Sequence, residues 1–398
     1  MKKFLHNNLL SVGLAIFSMF FGAGDLIFAV FVGKEFQSQT PVALLGFLVT
    51  AALLPVLGVV SILAYQGDYR AFFFRIGRVP GTLLAFATLM VVAPLVAMPR
   101  IVSLSYEVVS PLIPGLPLWL FAIFFLFLTF LLTRTESRII DVLGLVVSPI
   151  LILSLMIIFA SAISQGGSWT ISEKPALDVV IENVKYGYNT LNFLSAIFFG
   201  VVVISILKKA GVANHEKSST KDIVALGFKA SLLGVAVLSL IYVGLALTGA
   251  RYSQGMEALN EPQVFKQVMF LMLGDRGAIV LAIAVLMACL STIIALSAAA
   301  AEFLQENIFM GKVSYMNALI LSLVVAGGIS ILGLSNIIEY SKPILFTLHP
   351  VVIVLALANL AYKWFNFPFV KTPVAIALVF SIWFHWELFA TIISSSTK

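Results

Sequence analysis

Charged residues and cysteine are both scarce in this chain of 398 residues. Only 11% of its residues are charged, whereas a soluble domain has about 25%, and 61% are hydrophobic, against about 45–50%. The single cysteine, Cys289, excludes an intrachain disulfide and leaves the redox compartment open. This composition excludes a soluble globular domain and indicates a polytopic helical membrane protein whose main partner is the lipid bilayer.

Several short motifs of enzymes are also missing, and so is the clustering of basic residues that is typical of nucleic-acid-binding proteins. Neither HExxH nor GxSxG occurs, and there is no paired acidic motif of the prenyltransferase type. We therefore expect no enzyme and no cofactor. The net charge is +6, but the basic residues are dispersed among short loops, so we expect no nucleic-acid partner.

Eleven apolar runs reach the length of about 20 residues that crosses a bilayer as a helix. They are residues 9–32, 41–65, 81–108, 113–132, 141–164, 187–207, 224–248, 277–300, 314–333, 337–361 and 372–391. With the N-terminus in the cytoplasm, the cytoplasmic loops carry fifteen Lys and Arg residues and the outer loops seven. This asymmetry favours a cytoplasmic N-terminus. The sequence predicts an all-α, multi-pass fold of about 11 transmembrane helices.

The first run contains residues that are unusual in a membrane interior, namely Gly22, Gly24 and Asp25. An Asp at the centre of a spanning helix costs about 2.5–3.5 kcal/mol on insertion scales. Each Gly weakens a helix by about 1 kcal/mol relative to Ala. We expect an opened helix whose freed amides and carbonyls hold an ion and a small solute. Asp25 itself has three interpretations: it completes a cation site, binds a proton, or pairs with a base.

The helix count permits two halves of five helices, helices 1–5 (about 9–164) and 6–10 (about 187–361), plus an extra helix within 362–398. Because five is odd, the second half enters the membrane in the opposite orientation, as in an inverted repeat. Helix 6 should then match helix 1, and glycine and polar residues also interrupt it. We therefore predict one inverted-repeat core over residues 1–361, with helices 1 and 6 broken.

Four segments resemble, in the same order, motifs of the branched-chain amino acid:cation symporters, the branched-chain amino acid transport system II carrier family. The segments are FGAGDLIFAVFVG (21–33), APLVAMPRIVSLSYE (93–107), GYNTLNFLSAIFFG (187–200) and ACLSTIIALSAAAAE (288–302). The resemblance covers essentially the whole chain. It implies the five-plus-five inverted-repeat fold of the neurotransmitter:sodium symporters, the LeuT-like fold.

The resemblance also implies a function. A member of this family is a secondary active transporter in the bacterial cytoplasmic (inner) membrane. It imports Leu, Ile and Val, with Met as a further candidate, by symport with a cation, for which Na⁺ is favoured. One alternative is a proton-coupled or exchange-mode transporter of other apolar amino acids. The alternative outside transport, a membrane-embedded enzyme, requires a reactive constellation that the sequence does not show.

Two departures from the family pattern concern a single carboxylate. Where the family has Asn in helix 1, this chain has Asp25, and where the family has Asp in helix 6, it has Asn192. The carboxylate thus looks exchanged between the two broken helices. We expect these two helices to face each other, so that the net charge of the site is unchanged.

The expected substrate site follows from the polarity of helix ends. Amides at the freed N-terminus in helix 1 favour an anion and would receive the substrate carboxylate. Freed carbonyls in helix 6 would receive the ammonium, and two phenylalanines would line an apolar pocket. The expected residues are Ala23, Gly24, Asp25, Thr190, Asn192, Phe193 and Phe198.

The expected cation site follows from the resemblance. It places a hydroxyl pair of helix 8, Ser291 and Thr292, with carbonyls near Ser18 and Phe21 of helix 1 around Na⁺. Oxygen ligands suit such a hard cation. The alternative is that both hydroxyls bond to the preceding turn of their own helix.

Two charged residues of helix 3 have a less definite role. Arg100 and Glu107 are seven residues apart and lie on one face of the helix, about two turns from each other. Each is expected to meet another helix or an aqueous cavity. A gate and a structural role both remain open for this pair.

Overall fold

The computed structural model describes residues 2–134, 151–153, 156, 174–209, 220–252 and 254–387. The elements among them are all helical. The helices are α1 (Lys2–Phe20), α2 (Ala23–Phe36), α3 (Thr40–Leu48), α4 (Leu54–Leu63), α5 (Tyr69–Phe73), α6 (Arg78–Met90), α7 (Ala97–Val109), α8 (Leu118–Thr133), α9 (Ala176–Tyr188), α10 (Asn192–Lys209), α11 (Thr220–Tyr252), α12 (Glu261–Phe303), α13 (Tyr315–Ser330), α14 (Leu334–Phe365) and α15 (Lys371–Phe384). The predicted fifth run, 141–164, lies almost wholly outside the described residues.

Single turns of other geometry join some of these helices. They are 3₁₀ turns at Gln37–Gln39 and Phe74–Ile76 and π-helical turns at Val49–Leu53, Val91–Leu95 and Leu304–Ile308. The turn at Val91–Leu95 contains Pro94, which has no backbone N–H to donate. Helix 3 of the sequence prediction is therefore α6 and α7 joined through a π turn.

Within the described residues, five helical stretches are long and apolar enough to cross a membrane. They are Ala23–Leu63, Arg78–Val109, Lys221–Tyr252, Ile279–Ile308 and Leu334–Phe365. The pair Ala176–Tyr188 and Asn192–Ser205, bent by 45°, adds a sixth if it is counted as one span. The all-helical membrane class is confirmed, and the count of about 11 helices stays a prediction.

Helix 1 of the prediction is broken where the glycines indicate. The chain leaves α1 at Phe20 and begins α2 at Ala23, with Gly22 in an extended conformation at φ −125° and ψ −160°. We call Phe21–Gly22 the first break. The break separates the carbonyls that end α1 from the amides that begin α2, as the sequence predicts.

Helix 6 is also broken, but it begins earlier than the apolar run suggests. The structure starts α9 at Ala176, whereas the predicted span starts at residue 187. Asp178, Glu182 and Lys185 lower the hydropathy of this segment, so a search for apolar runs assigns it to a loop. We call Asn189–Leu191, between α9 and α10, the second break. Leu191 has φ +68° there, a left-handed conformation that few non-glycine residues adopt.

The two broken helices pack in the same way against different partners. Helix α11 lies along both α1 and α2, and the pair α3–α4 lies along α9 and α10. If helix 1 exchanges with helix 6 and helix 2 with helix 7, the first arrangement becomes the second. This exchange of partners is what an inverted repeat of five helices produces.

Glycines let the backbones touch at these interfaces. A Cβ added to Gly33 would overlap the carbonyl of Ala246, and one added to Gly249 would overlap that of Val30, so α2 and α11 are in backbone contact. A Cβ added to Gly46 of α3 would likewise overlap the carbonyl of Val180 in α9. Small residues at such contacts are the usual means of close helix packing in membranes. Both breaks are therefore held by tightly packed neighbours.

We predict that Gly249→Ala lowers the temperature of unfolding in detergent. The new methyl group overlaps a carbonyl that belongs to a packed helix, and overpacking of this kind costs about 1–3 kcal/mol. The control is Gly328→Ala in α13, because among the described residues no atom beyond its own stretch of helix lies within 4 Å of a Cβ at that position. Equal unfolding temperatures for the two variants would contradict the close packing of α2 on α11.

Candidate functional site

The two breaks meet at a small cavity with a volume of about 20 Å³. Helices α7, α10 and α12 complete its wall. Its polar lining includes Asp25, Arg100, Thr190, Asn192 and Thr292. Its apolar lining includes Met19, Phe20, Ile101, Phe199 and Leu296. The arrangement combines a polar end, built on broken helices, with an apolar end, which is the usual character of a small-molecule site.

Asp25 caps the N-terminus of α2, the helix to which it belongs. Its Oδ2 accepts a hydrogen bond of 2.7 Å from the backbone amide of Gly22. An Asp in the first turn of a helix both satisfies a free amide and carries negative charge at the positive end of the helix dipole. Asp25 is only 1% exposed, so this contact is shielded from bulk solvent.

The second oxygen of Asp25 joins the first break to the second. Oδ1 accepts a hydrogen bond of 2.7 Å from Nδ2 of Asn192 and another from the hydroxyl of Tyr242 in α11. The same amide group of Asn192 lies 3.2 Å from the carbonyl oxygen of Ala51 and 2.9 Å from the Tyr242 hydroxyl. The two broken helices, which are expected to face each other, thus meet through Asp25 and Asn192. One carboxylate connects three helices, and Asn192 extends the contact to the π turn between α3 and α4.

The sequence does not single out Tyr242, although the structure places it at the centre of this network. It is fully buried in α11, within an otherwise apolar run. A buried tyrosine hydroxyl needs a hydrogen-bond partner, so a lone tyrosine inside a spanning helix is a usable signal. That signal indicates a polar partner without indicating which residue it is.

Arg100 lies on the cavity wall and is 2% exposed. Its Nη1 donates a 3.0 Å hydrogen bond to the carbonyl oxygen of Asn189 in the second break, and its Nη2 donates to the hydroxyl of Ser341 in α14. Its Nε has no hydrogen-bond partner in the described part of the chain. Glu107, two turns further along α7, is half-buried and does not line the cavity. The structure therefore separates the two residues, and only Arg100 contacts the site.

The residues expected around a cation are only partly brought together. The Thr292 hydroxyl donates a 3.2 Å hydrogen bond to the carbonyl of Phe21, the residue at which α1 has ended. Ser291 bonds instead to Ala288 in its own helix at 2.8 Å, and Ser18 bonds in the same way to Ala15 at 3.2 Å. The described residues contain no cluster of three or more His, Cys, Asp or Glu side chains that could hold a metal.

Five of the residues expected at the substrate site line the cavity, and two do not. Ala23, Gly24, Asp25, Thr190 and Asn192 form part of its wall. The ring of Phe193 instead lies 6.3 Å from that of His349, and Phe198 packs against Tyr69 and Phe303, with ring centroids 5.4 and 5.5 Å away.

The apolar wall on α10 belongs to Phe199, the neighbour of Phe198. Successive residues of an α-helix differ by about 100° in direction, so adjacent phenylalanines face different surroundings. The position of the break in helix 6 sets the rotation of α10 about its axis, and this rotation decides which of the two phenylalanines faces the cavity. The apolar pattern of the sequence does not specify it.

Glycine brings the first break close to its neighbours. A Cβ on Gly24 would lie 3.0 Å from the Cα of Thr190 in the second break. A Cβ on Gly22 would lie 2.9 Å from the Thr292 hydroxyl oxygen. The backbone at Gly22 therefore approaches α12, and the backbone at Gly24 approaches the second break, more closely than a residue with a Cβ would allow.

Comparison with known proteins gives a consistent family. The sequence profile of the family described as "Branched-chain amino acid transport protein" matches residues 5–395. The chain is 30% identical over 365 residues to the branched-chain amino acid permease BraB of Bacillus subtilis, covering 89% of this chain and 80% of the relative. It is 30% identical over 388 residues to the branched-chain amino acid transport system 2 carrier protein of Pseudomonas aeruginosa, covering 94% and 86%.

Solved structures share the fold at low sequence identity. A nucleobase-cation-symport-1 family transporter in a closed conformation aligns with a TM-score of 0.62 at 16% identity, covering 96% of this chain and 93% of that one. A manganese transporter of Eremococcus coleocola aligns with a TM-score of 0.61 at 14% identity, covering 100% and 92%. These likenesses indicate the LeuT-like fold that the sequence predicts.

We predict that Tyr242→Phe lowers the temperature of unfolding in detergent. The change removes a hydroxyl that donates to a fully buried carboxylate, and leaving a buried polar group short of a partner costs about 1–3 kcal/mol. The matched control is Tyr340→Phe, because Tyr340 of α14 is 49% exposed. If the two variants unfold at the same temperature, the Tyr242 hydroxyl does not stabilise the junction of the two breaks.

Proposed function

This chain belongs to the branched-chain amino acid transport protein family, and from that premise we propose that it imports Leu, Ile and Val by symport with Na⁺. Methionine is a further candidate substrate. The protein is a multi-pass bacterial membrane protein, and its relatives are transporters and not enzymes. We place it in the cytoplasmic (inner) membrane, as the family resemblance implies, and we place its N-terminus in the cytoplasm on the basis of the distribution of Lys and Arg.

The observation that supports transport best is the contact between the two breaks. Asp25 and Asn192 lie 2.7 Å apart on the wall of one buried cavity. Broken helices that meet at a buried cavity are typical of secondary transporters with inverted repeats, whose sites open alternately to either side. We assign residues 1–361 to such a core and 362–398 to an extra C-terminal helix, of which α15 packs against α14.

The substrate would bind between the polar and apolar walls of this cavity, which widens to admit it. Ala23, Gly24, Asp25, Thr190 and Asn192 provide polar groups for the amino and carboxyl ends of an amino acid. Phe20, Ile101, Phe199 and Leu296 provide the pocket for its side chain. An apolar pocket distinguishes one methylene by only about 1–3 kcal/mol, so several aliphatic side chains can share it.

Sodium would bind where Thr292 meets the end of α1. Its hydroxyl oxygen and the carbonyl of Phe21 are the kind of ligands that a hard cation prefers. Ser291 and the carbonyl near Ser18 complete the proposed site once the Ser291 hydroxyl turns away from Ala288. Asp25 is a candidate for a further cation ligand. One charge crossing 100 mV provides about 2.3 kcal/mol, which is about fifty-fold accumulation of solute.

We predict sodium-dependent uptake of labelled isoleucine by proteoliposomes that contain the purified protein. Replacing external Na⁺ by choline should abolish uptake at every pH tested. Thr292→Val should raise the Na⁺ concentration for half-maximal uptake by about tenfold or more, which is the loss of about 1.4 kcal/mol in binding.

Thr129→Val is the matched control for Thr292→Val, because Thr129 is also buried in a helix and its hydroxyl donates a 2.9 Å hydrogen bond to the carbonyl of Phe125 in the preceding turn of its own helix. If uptake in choline follows an imposed proton gradient, the coupling ion is the proton and not Na⁺. Flux that does not respond to any ion gradient would contradict symport altogether.

We predict that exchanging the carboxylate between the breaks rescues transport. Asp25→Asn removes the only charge at the contact, and Asn192→Asp places two carboxylates within hydrogen-bonding distance. Each single change should lower isoleucine uptake by about tenfold or more, since an interaction of about 1.4 kcal/mol changes an equilibrium tenfold. The double change Asp25→Asn with Asn192→Asp keeps one carboxylate at the contact, so its uptake should exceed that of both single variants.

The control for this exchange is Asp25→Asn with Asn336→Asp, which restores the total charge at an exposed position of α14, outside the cavity. It should behave as Asp25→Asn alone. A double exchange that transports no better than the worse single variant would show that the two positions do not share one function.

A further inference from the structure

Two buried side chains of opposite charge line the cavity without pairing with each other. Asp25 and Arg100 are 1% and 2% exposed, and both form part of the cavity wall. Among the described residues, neither forms a salt bridge: Asp25 accepts from Gly22, Asn192 and Tyr242, whereas Arg100 donates to a carbonyl and a hydroxyl. Unpaired charges are costly to bury, so this arrangement is favourable only if something else balances each of them.

The start of α2 already holds an anionic side chain. The amide of Gly22 already donates to Asp25 Oδ2 at 2.7 Å, so the protein's own carboxylate occupies the positive end of this helix. A substrate carboxylate placed there would lie beside Asp25, and two like charges in a low-dielectric site repel each other strongly. The electrostatics instead favour a cation near Asp25.

Arg100 is the group at the cavity that suits an anion. Its two terminal nitrogens hold Asn189 and Ser341, and its Nε lacks an acceptor in the described part of the chain. A guanidinium has five donors in a fixed plane and binds carboxylates with two parallel hydrogen bonds. The buried, incompletely satisfied guanidinium therefore offers both the charge and the donors that a carboxylate needs.

We propose that Arg100 and Asp25 are the two poles of a receptor for a zwitterionic α-amino acid. Arg100 binds the substrate carboxylate, and Asp25 binds its ammonium group. This inference rests on the proposed function and specifies which groups recognise the main chain of the substrate. A zwitterion has no net charge, so its binding balances each pole and leaves the charge of the cavity unchanged.

The second break sets the separation of the two poles. Arg100 donates to the carbonyl of Asn189, and Asp25 accepts from the side chain of Asn192, three residues further along the chain. Because Thr190 and Leu191 also line the cavity, the second break forms the wall between the poles. The substrate main chain would lie along this wall, with its side chain directed towards Phe20 and Phe199.

The first test uses the unmodified full-length protein in lipid nanodiscs and competition with labelled isoleucine. Isoleucinamide lacks the carboxylate, and 3-methylpentanoate has the same side chain without the ammonium. Each should bind at least about 30-fold more weakly than isoleucine, since leaving one member of a buried charged pair without its partner has an effect of at least this size. If either analogue competes as well as isoleucine does, the pole that it lacks is not recognised and the inference is wrong.

The second test measures the binding of the same three ligands to variants of the protein. Arg100→Gln should weaken isoleucine binding and remove the difference between isoleucine and isoleucinamide, because the missing group no longer has a partner. Asp25→Asn should in the same way remove the difference between isoleucine and 3-methylpentanoate. Arg100→Lys retains the positive charge but lacks the planar set of donors of the guanidinium. This variant should therefore still prefer isoleucine to isoleucinamide, but by a smaller factor than the unmodified protein does.

A purely structural role for Arg100 gives a different result. It would weaken all three ligands by one common factor and leave their ratios unchanged, which would overturn the inference. Arg78→Gln is the matched control on α6, outside the cavity, and should leave every ratio as in the unmodified protein.

The outcomes also distinguish this inference from the function on which it rests. If the unmodified protein binds isoleucine but does not distinguish it from its amide, the Arg100 pole fails and the transport proposal stands. If no branched-chain amino acid binds, both fail. Should Arg100→Gln not fold, Arg100→Lys and the analogue series on the unmodified protein still decide the matter.

Discussion

The carboxylate of Asp25 is the contact on which the centre of this protein depends. It caps α2 through Gly22 and accepts hydrogen bonds from Asn192 and Tyr242. In a membrane, every backbone and side-chain polar group must find its partner inside the protein, so a helix can break at this depth only beside another polar group. The two breaks satisfy each other through one side chain, which explains why they occur at the same place.

Close backbone packing is the second condition, because the network tolerates little displacement. Gly24 places the first break against Thr190, and Gly33 and Gly249 hold α2 against α11, the helix that carries Tyr242. A shift of α2 by the width of a methyl group would lengthen the hydrogen bonds of Asp25 to both Asn192 and Tyr242. Glycine in these helices therefore weakens the isolated helix but positions the polar junction.

The sequence predicts the parts of this arrangement that depend on residue type. It misses those that depend on the rotation of a helix about its axis or on the identity of a hydrogen-bond partner. Gly22, Gly24 and Asp25 indicate the first break because they are costly in a spanning helix. The start of α9 is hidden by its charged residues, and the choice between Phe198 and Phe199 depends on a helix rotation that apolar patterning leaves open. The partners of Arg100 come from the second break and α14, far away in the chain, and no local pattern specifies them.

The position of the single carboxylate has a consequence for the first break. With Asn at this position, as in the family pattern, a neutral side chain would stand at the start of α2 and the helix dipole would attract an anion. With Asp25 there, the same helix end is neutralised by the protein itself. The exchange of the carboxylate from helix 6 to helix 1, which the sequence resemblance implies, would thus conserve the charge of the cavity but change where an anion is favoured. Arg100, which is buried and not ion-paired among the described residues, is then the remaining positive group on the cavity wall that the described structure offers.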